Sequence, residues 1–388
     1  MKIIFWVAIF FIFYTYIGYG LLLYLLLIFK RIFLKKPIKE FLSYTPSVTI
    51  VVAAFNEAYI IEEKILNTLA LNYPSDSIEY IFITDGSTDE TASIVAKYPS
   101  IKGMHQAQRN GKIAAVHRAM NEIKSEIVVF TDANTMVNKE AIINICKHYI
   151  DPTVGAIAGE KRVQIESQSD ATAGEGFYWK YESKLKQWDS ELYSVVGAAG
   201  ELFSIRSSLY QPVEPDTVLD DFMISMNIAL KGYRIVYEPA AFATETASAN
   251  TNEELKRKIR IAAGGIQSTI RLWPLFIPFK NPVLTFEFIS HRVLRWVVTP
   301  YLMIGALVLN MLLVKQMGIM SIYGLMLFGQ SCIFLAAIFG WILEKQKLKV
   351  KVFFIPYYFC LMNYAVIAGM YRYFFTKQSV LWEKAKRK

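Results

Sequence analysis

Hydrophobic residues are concentrated near both ends of the chain, and a region of mixed composition lies between them. Residues 3–29 carry no charge and are long enough to span a bilayer. Three more apolar segments of spanning length lie at residues 293–314, 319–343 and 352–375. The pattern predicts one amino-terminal and three carboxyl-terminal transmembrane helices around a central domain.

The central region alternates between short β-forming runs and segments with helical spacing. Residues 48–53, 78–84 and 127–130 are rich in β-branched and aromatic residues, whereas residues 61–71 and 113–123 place apolar residues at helical intervals. Alternation of this kind is typical of a parallel α/β sheet. Polar turns follow each run, and ligands of such sheets collect at the carboxyl ends of the strands.

The rest of the central region predicts further strands at residues 154–159, 202–205 and 233–237, with helices at residues 176–189, 222–230 and 253–261. The domain boundaries follow from these changes of pattern. We expect a transmembrane helix at 1–30, an α/β domain at 46–265, an interfacial amphipathic segment at 266–292, three transmembrane segments at 293–375 and a basic tail at 376–388.

The charge distribution favours a membrane surface over nucleic acid as the partner of this chain. The net charge is +9, and basic residues cluster beside apolar segments. Five of them directly follow the first apolar segment: Lys30, Arg31, Lys35, Lys36 and Lys39. The positive-inside rule therefore predicts a multi-pass protein of the cell membrane whose central domain is cytoplasmic. His291, Arg292 and Arg295 are expected to be snorkelling anchors at the membrane surface.

The basic tail conflicts with four simple crossings. Four crossings would place residues 376–388 outside the cell, yet this tail carries five basic residues, which favour the inside: Lys377, Lys384, Lys386, Arg387 and Lys388. One alternative is that the last apolar segment is re-entrant, with Pro356 and Asn363 as its unusual residues. The other alternative is that the positive-inside bias is violated there.

A candidate metal site follows the run at residues 127–130. Asp132 and Asn134 lie just past the end of this predicted strand. Oxygen side chains two residues apart can share one Mg²⁺ or Mn²⁺, which substrate phosphates would complete. A single pair of this kind also serves simply to cap a helix.

Two other turns carry donor-binding candidates. Asp85 precedes Gly86 at the end of a predicted strand, where its carboxylate can accept from a nucleotide base while the glycine permits close approach. Lys112 lies at the start of a predicted helix, which suits a diphosphate. The plain alternatives are a capped turn for Asp85 and a solvated surface charge for Lys112.

A second acidic pair, Asp220 and Asp221, is far from the first in the sequence. If folding brings it to the same sheet edge, one carboxylate can act as a general base, although the pair can also cap the next helix. Arg257 and Arg260 share a helix face and could balance a leaving diphosphate. Their alternative is an ordinary basic helix beside a membrane.

Taken together, these pieces resemble the family 2 membrane glycosyltransferases of the GT-A fold, which include cellulose, hyaluronan and poly-N-acetylglucosamine synthases of polysaccharide biosynthesis. The resemblance covers roughly residues 46–265 and the flanking apolar segments. It rests on six motifs in a specific order and spacing: residues 53–57, 85–89, 132–134, 197–203, 220–221 and 257–260.

The resemblance implies a transferase of hexosyl or N-acetylhexosaminyl type that uses a nucleotide-sugar donor, most simply a UDP-sugar, and Mg²⁺ or Mn²⁺. It implies Asp221, with Asp220, as catalytic and Asp132 with Asn134 as the metal site. Gly200 and Glu201 would contact the acceptor. The donor would be bound by eight residues: Ala53, Phe55, Glu57, Asp85, Lys112, Asp132, Arg257 and Arg260.

Two departures from the family pattern concern the metal and the product. Asn134 replaces the second aspartate of the metal motif. The Gln-x-x-Arg-Trp motif of the synthases falls on residues 257–261, which keep the arginine but lack the glutamine and tryptophan. Three hypotheses stay open: a polymerising transferase with export partners, a single-sugar transferase to a polyprenyl or other lipid acceptor, and a catalytically weak binding subunit of a synthase complex.

Overall fold

The computed structural model of the chain describes residues 1–33, 44–164, 171–246, 251–346, 348 and 350–376. The basic residues expected at Lys35, Lys36 and Lys39, and those of the tail from Lys377 to Lys388, lie outside the described residues.

The central domain is built on one eight-stranded sheet. Its strands are β1 (Val48–Ala54), β2 (Ile78–Asp85), β3 (Lys102–Gln106), β4 (Ile127–Asp132), β5 (Thr135–Val137), β6 (Val154–Gln164), β7 (Phe203–Arg206) and β8 (Arg234–Thr246). The strand order is β3-β2-β1-β4-β7-β6-β8-β5. This arrangement confirms the predicted α/β class.

The first half of the sheet is parallel, as its sequence pattern predicts. β1 pairs in parallel with both β2 and β4, and β2 pairs in parallel with β3. All seven residues of β1 are buried. Val51 and Ala53 face one core cluster and Ile50 and Val52 face the other, so both faces of the strand are covered.

The second half of the sheet contains the antiparallel pairings, so the sheet is mixed, with four parallel and three antiparallel pairings among the described strands. β7 lies antiparallel between β4 and β6, and β5 lies antiparallel to β8, while β6 and β8 are parallel. β6 and β8 are also longer than the predicted runs, and they pair with each other up to Gln164 and Thr246. Hydrophobic runs report burial but not strand direction, so the sequence did not predict this insertion.

Thirteen α-helices lie in the described part of the chain: α1 (Lys2–Phe13), α2 (Tyr19–Phe33), α3 (Ile61–Leu69), α4 (Thr91–Val95), α5 (Lys112–Met120), α6 (Ala141–Cys146), α7 (Ala171–Leu192), α8 (Asp220–Leu230), α9 (Thr251–Arg271), α10 (Pro282–Glu287), α11 (Thr299–Met317), α12 (Ile322–Lys345) and α13 (Lys351–Phe375). π-Helical stretches at Tyr14–Gly18 and Phe288–Val298 join α1 to α2 and α10 to α11. α9 is longer than predicted because it continues through Gly264 and Gly265.

Among the described residues, four continuous helices are long and apolar enough to cross a membrane: Lys2–Phe33, Pro282–Met317, Ile322–Lys345 and Lys351–Phe375. Their number and order match the four apolar segments seen in the sequence. The first two pack against each other, with Thr15 hydrogen bonded to Thr299 at 2.9 Å. The first also contacts α12, where the Phe5 ring packs against the Tyr323 ring.

The helix Pro282–Met317 begins inside the domain rather than at a membrane surface. His291 is fully buried and its Nδ1 lies 2.5 Å from Asp189 Oδ2. Arg292 and Arg295 both donate to Glu182, a buried residue of α7. The expectation that these residues are snorkelling anchors is therefore wrong, because each has a carboxylate partner in the domain. The sequence around His291, Arg292 and Arg295 does not reveal these carboxylate partners, because they lie far away in the chain.

Candidate functional site

A buried carboxylate at the end of β2 faces the carboxyl edge of the sheet. Asp85 Oδ2 accepts from the backbone N–H groups of Asn110 and Gly111 at 2.9 and 2.6 Å. Its Oδ1 is buried and has no hydrogen-bond partner among the described residues. Gly86 has a φ of 67°, and a Cβ there would lie 2.5 Å from Arg109 Cβ. The turn therefore fixes one oxygen of Asp85 and leaves the other for a ligand N–H.

A pocket adjoins Asp85, and we call it the base pocket. Its lining includes Asp85, Phe55, Ala53 and Lys112. The guanidinium of Arg109 lies 3.8 Å from the centre of the Phe55 ring and forms part of the wall. A flat ring, a planar cation and an open acceptor are features that suit a nucleotide base.

A second pocket shares Ala53 and Lys112 with the base pocket, and we call it the diphosphate pocket. Asp132, Gly200 and Asp220 also line it. The two pockets are thus adjacent at the ends of β1 and β4. The predicted donor residues of the first half of the sheet and the second acidic pair meet here, although more than eighty positions separate Asp132 from Asp220.

Lys112, the first residue of α5, holds the acidic groups of the diphosphate pocket together. Its Nζ lies 2.9 Å from Asp132 Oδ1 and 3.6 Å from Asp220 Oδ2. A Cβ on Gly200 would lie 3.5 Å from this Nζ and 3.3 Å from Asp221 Oδ2. Only a small residue leaves this space open, which explains the small-residue loop before β7.

The charges around Lys112 shift each other's pKa values. Burial lowers the pKa of Lys112, but the carboxylates of Asp132 and Asp220 outweigh burial and raise it. Burial likewise raises the pKa of Asp132, and Lys112 only partly offsets that effect. Burial and the charge of Asp220 raise the pKa of Asp221 to about 7. The site therefore combines one firmly charged lysine with a carboxylate that titrates near neutral pH.

Asp220 and Asp221 open α8 with no side-chain cap at its start. The pair reaches the sheet edge as predicted, because Asp220 lies beside Lys112. The alternative that the pair caps the helix is not what their side chains do. Since Asp220 pairs with the lysine, Asp221 is the less engaged of the two and the better proton acceptor.

Asp132 and Asn134 are the candidate ligands for Mg²⁺ or Mn²⁺. Asp132 ends β4 and Asn134 directly precedes β5, so both lie in one turn at the diphosphate pocket. Carboxylate and amide oxygens fit a hard cation that keeps open positions for phosphate oxygens. The part of the chain that the structure describes contains no group of three His, Cys, Asp or Glu residues that could hold a metal by itself. The donor set thus fits a cation shared with a bound diphosphate.

Glu201 is engaged within the protein. Its Oε1 lies 2.5 Å from Lys161 Nζ, and Lys161 also pairs with Glu245 of β8. Burial opposes the charge of Glu201, but the Lys161 ion pair outweighs burial and lowers the pKa of Glu201. The predicted acceptor contact would therefore come from a carboxylate that is already bound to a lysine.

Arg257 is paired with carboxylates of its own surroundings. It lies 3.1 Å from Glu254 on the same helix and 3.5 Å from Glu245. These pairs connect Arg257 through Glu245 to Lys161 and Glu201 at the edge of the site. Glu57, two residues after Phe55, is buried, and its backbone N–H donates to Thr91 Oγ1 at 2.8 Å.

Lys64 is a site residue that the sequence reasoning missed. It is fully buried, and its Nζ donates to Thr131 Oγ1 at 3.0 Å and to the Thr135 carbonyl at 2.6 Å. It thereby ties the end of β4 to the start of β5 around Asp132. The available signal was a lysine on the apolar face of α3, between Ile61 and Ile65. Burial lowers the pKa of Lys64 to about 7, although Asp132 opposes this shift.

The chain is similar to known proteins over this same region. Residues 49–213 match the model of glycosyl transferase family 2. Poly-beta-1,6-N-acetyl-D-glucosamine synthase of Staphylococcus aureus is 28% identical over 233 residues, which cover 58% of this chain and 56% of the synthase. The enzyme of the same name from Staphylococcus epidermidis is 25% identical over 275 residues, or 68% of this chain and 66% of that one. The chain thus matches a little over half the length of the S. aureus relatives.

A solved structure extends the likeness of fold to nearly the whole chain. It is the mannosyltransferase PcManGT from Pyrobaculum calidifontis in complex with GDP-Man and Mn²⁺. The two share 23% sequence identity and superpose with a TM-score of 0.70 over 96% of this chain and 99% of that one. Residues 49–213 therefore match glycosyl transferase family 2, and they lie in a domain that has the GT-A fold.

Proposed function

We propose that this protein is an inverting membrane glycosyltransferase that moves a sugar from a UDP-sugar to a growing polysaccharide or lipid-linked glycan on the cytoplasmic side of the cell membrane. The observation that carries this proposal is the pair of adjacent pockets: Asp85 lines one, Gly200 and Asp220 line the other, and a Cβ on Gly200 would lie 3.3 Å from Asp221 Oδ2. Lys112 lines both pockets. A base, a diphosphate and a sugar follow each other in that order in a nucleotide-sugar.

Asp85 would recognise the nucleotide base by a hydrogen bond. Its Oδ2 is held by two backbone N–H groups, while its Oδ1 has no hydrogen-bond partner among the described residues, and Asp85 lines the base pocket. A carboxylate oxygen in that position accepts an imide N–H, such as N3–H of uracil, and the Phe55–Arg109 wall offers a face for stacking. Since guanine N1–H is a donor of the same type, GDP-sugars are the matched alternative to test.

Asp132 and Asn134 would hold the divalent cation on the donor. A bound cation there supplies positive charge that stabilises the leaving diphosphate. Lys112 contributes a second positive charge from the protein itself, and it faces the same pocket at 2.9 Å from Asp132. When a diphosphate arrives, Lys112 can exchange part of its contact with Asp132 for a phosphate oxygen.

Asp221 would activate the acceptor. Its carboxylate accepts the proton of the acceptor hydroxyl as the hydroxyl oxygen forms a bond to C1 of the sugar. The bond from C1 to the diphosphate oxygen breaks, and its electron pair leaves with the diphosphate. Attack from the face opposite the leaving group inverts the configuration at C1. The raised pKa of Asp221 makes it a stronger base than an ordinary aspartate.

Nucleotide release from a panel of donors tests this proposal. The purified protein in detergent or nanodiscs is given UDP-glucose, UDP-N-acetylglucosamine and GDP-mannose with Mg²⁺ or Mn²⁺, and then with EDTA. We expect release from a UDP-sugar that stops with EDTA, and loss of cation-dependent donor binding in Asp132→Ala. Asp76→Ala on an exposed turn is the matched control. A donor affinity that changes neither when EDTA removes the cation nor in Asp132→Ala would contradict the metal site.

A lipid-linked acceptor is the second candidate, and the position of the site favours it over a soluble glycan. Phe222, next to Asp221, packs its ring 5.4 Å from the ring of Trp296 in the helix Pro282–Met317. The catalytic end of the site therefore lies against the apolar helices. Product length on a polyprenyl phosphate or glycolipid acceptor separates single transfer from polymerisation, and only a polymer would require export partners.

A binding subunit without activity is the remaining hypothesis. The presence of Asp85, Lys112, Asp132 and both Asp220 and Asp221 in one arrangement argues against it. Donor binding without nucleotide release, across the whole donor and acceptor panel, would support this hypothesis over an enzyme.

A further inference from the structure

We infer that α9 positions the proposed base, Asp221, by holding the segment 214–219 that leads into it, and that Gln267 is the main residue of this hold. The inference rests on the proposed function, because it takes Asp221 as the base. Gln267 is not among the residues that line the base pocket or the diphosphate pocket. It therefore acts through Asp221, as a positioning residue.

The start of α8 has no side-chain cap of its own. Leu219, the residue before the helix, has an apolar side chain at the position where a serine, threonine, aspartate or asparagine oxygen usually accepts from the first backbone N–H groups. Packing fixes the body of α8, where residues 222–226 are all buried. The carboxylates of Asp220 and Asp221 face the site instead. Their position therefore depends on the backbone that precedes the helix.

Gln267 holds that backbone from α9. Its Oε1 accepts from the backbone N–H of Val218 at 2.9 Å, and its Nε2 donates to the backbone carbonyl of Asp216 at 2.9 Å. A carboxamide offers an acceptor and two donors in one planar group, so a single side chain can bind both backbone groups. Gln267 is only 3% exposed, and water competes little for these bonds.

Arg271, one turn after Gln267 on the same face of α9, provides a second anchor. It donates to Thr217 Oγ1 at 2.9 Å and to Asp216 Oδ1 at 2.7 Å. These bonds involve side chains of the segment, whereas those of Gln267 involve its backbone. The two anchors together hold three consecutive residues, 216–218.

Gly264, one turn before Gln267, lets α9 approach the last part of the segment closely. A Cβ at this position would lie 2.9 Å from Val218 Cβ and 2.8 Å from Leu219 Cγ. Any larger residue would therefore have to push these side chains away. The contact surface of α9 thus continues to the residue directly before Asp220.

α9 also reaches the residue that follows Asp221. A Cβ on Gly265 would lie 2.7 Å from Trp296 Cε3, so α9 packs closely on this indole ring. The ring of Trp296 lies 5.4 Å from the ring of Phe222. The proposed base is therefore bracketed, with direct contacts from α9 before it and a contact through Trp296 after it. A hold on both sides of one residue favours positioning over the plain alternative, a loop that is merely tied to a helix.

A positioning role affects turnover and donor binding differently. A general base must lie within hydrogen-bond reach of the acceptor hydroxyl, and a displacement of about 1 Å can reduce the rate by about a hundredfold. The donor is bound by other residues, such as Asp85 and Lys112. Loosening the segment should therefore lower kcat and leave the affinity for the donor unchanged.

Gln267→Met tests this expectation, since it keeps the length of the side chain and removes both hydrogen bonds. The rate is measured with the donor and acceptor found active in the panels, and it is divided by the number of donor-binding sites. We expect kcat per site to fall by about ten- to a hundredfold with an unchanged Kd for the donor. The matched control is Thr269→Val, because Thr269 is buried on α9 and its Oγ1 donates to the Gly265 carbonyl within the helix. It should turn over like the wild type.

A purely structural role of Gln267 predicts another result. Gln267→Met would then lower the number of donor-binding sites and leave kcat per site unchanged, and that outcome would overturn the inference.

A double-mutant cycle separates the inference from the proposed function. If Gln267 acts through Asp221, then adding Gln267→Met to Asp221→Asn should lower the residual rate little. A further fall by the same factor as in the wild-type background would overturn the inference and leave the base assignment intact. Near-normal turnover in Asp221→Asn would overturn the proposed base, and the inference with it.

Gly264→Ala is a second variant, and it tests the hold whether or not Gln267→Met folds. It removes no hydrogen bond and improves the intrinsic helix propensity of α9, but its Cβ pushes Val218 and Leu219 away. We expect a lower kcat per site and an unchanged Kd for the donor. The control is Gly305→Ala on α11, where no described atom lies within 4 Å of the new Cβ. Equal turnover of the two alanine variants would contradict the hold.

Discussion

Two groups of buried charges differ in how completely their carboxylates are paired. The site group places three carboxylates around a single lysine: Lys112 with Asp132, Asp220 and Asp221. The junction group joins α7 to the helix Pro282–Met317 and matches acids with cations: Glu182, Asp189, His291, Arg292 and Arg295. The site group has an excess of negative charge, and this charge faces a pocket. The five residues of the junction group have no such excess of negative charge.

The pKa shifts express the same difference. Burial and a neighbouring acid raise the pKa of Asp221 to about 7, so its charge is poorly compensated. Burial also opposes the charge of Glu182, yet His291, Arg295 and Arg292 together outweigh burial and lower its pKa. Compensated charges hold elements together, whereas uncompensated charges need a ligand or a proton. The comparison therefore suggests chemistry for the site group and, for the junction group, the attachment of the helix Pro282–Met317 to the domain.

The largest effect is expected when the proposed base is removed. Asp221→Asn keeps the size of the side chain but cannot accept the acceptor proton, so turnover should fall by about 10²- to 10⁴-fold. Binding of the donor should change little, because the base pocket and Lys112 remain. Nucleotide release and isothermal titration with the donor measure the two quantities. The control is Asp76→Asn on an exposed turn, and near-normal turnover in Asp221→Asn would refute the assignment.

Breaking the junction group should cost stability instead of donor affinity. Glu182→Gln leaves Arg292 and Arg295 buried without a charged partner, which typically costs about 3–5 kcal/mol. The matched control is Glu122→Gln, since Glu122 pairs with Lys102 on the surface and such pairs contribute about 0–1 kcal/mol. Unfolding in detergent measures both. Equal stability of the two variants would show that the junction pairs contribute no more than a surface pair.

The sequence predicted the site group better than the junction group, and locality explains why. Asp85 and Asp132 follow β-forming runs directly, so a strand end places them at the same edge of the sheet. The partners of Glu182 are more than a hundred residues away, and no local pattern brings them together. His291 was accordingly assigned to the membrane surface, although it is fully buried.

Long-range pairing also limits what the sequence can show of the sheet and the site. The antiparallel insertion of β7 between β4 and β6 has no signature in its apolar residues. In the sequence, Lys64 is an unexplained charged residue on the apolar face of α3. The structure explains it, because Lys64 donates hydrogen bonds to Thr131 and to the Thr135 carbonyl. The sequence predicts that Glu201 contacts the acceptor substrate, but it does not reveal the ion pair of Glu201 with Lys161.

Lys64 sharpens the comparison because it is a buried cation beneath the site with neutral partners. Its pKa falls from 10.5 to about 7 in the folded protein. Between these values the unfolded chain binds the proton and the folded chain does not, so stability should rise with pH by up to about 1.4 kcal/mol per unit. Lys64→Met should flatten this rise, whereas Lys102→Met on the surface should not. Unfolding curves from pH 6.5 to 9.5 measure it, and parallel curves for wild type and Lys64→Met would contradict the assignment.

The smallest effect separates Asp220 from Asp221 within the site group. Asp221 must be ionised to act as a base, so kcat/KM should fall about tenfold per pH unit below pH 7. After burial, the charge of Asp220 is the main cause of this high pKa. Asp220→Asn should therefore move the acidic limb of the profile to lower pH, whatever it does to the plateau. A limb that stays in place would mean that burial alone sets the pKa of Asp221, and that the excess of carboxylates does not tune the base.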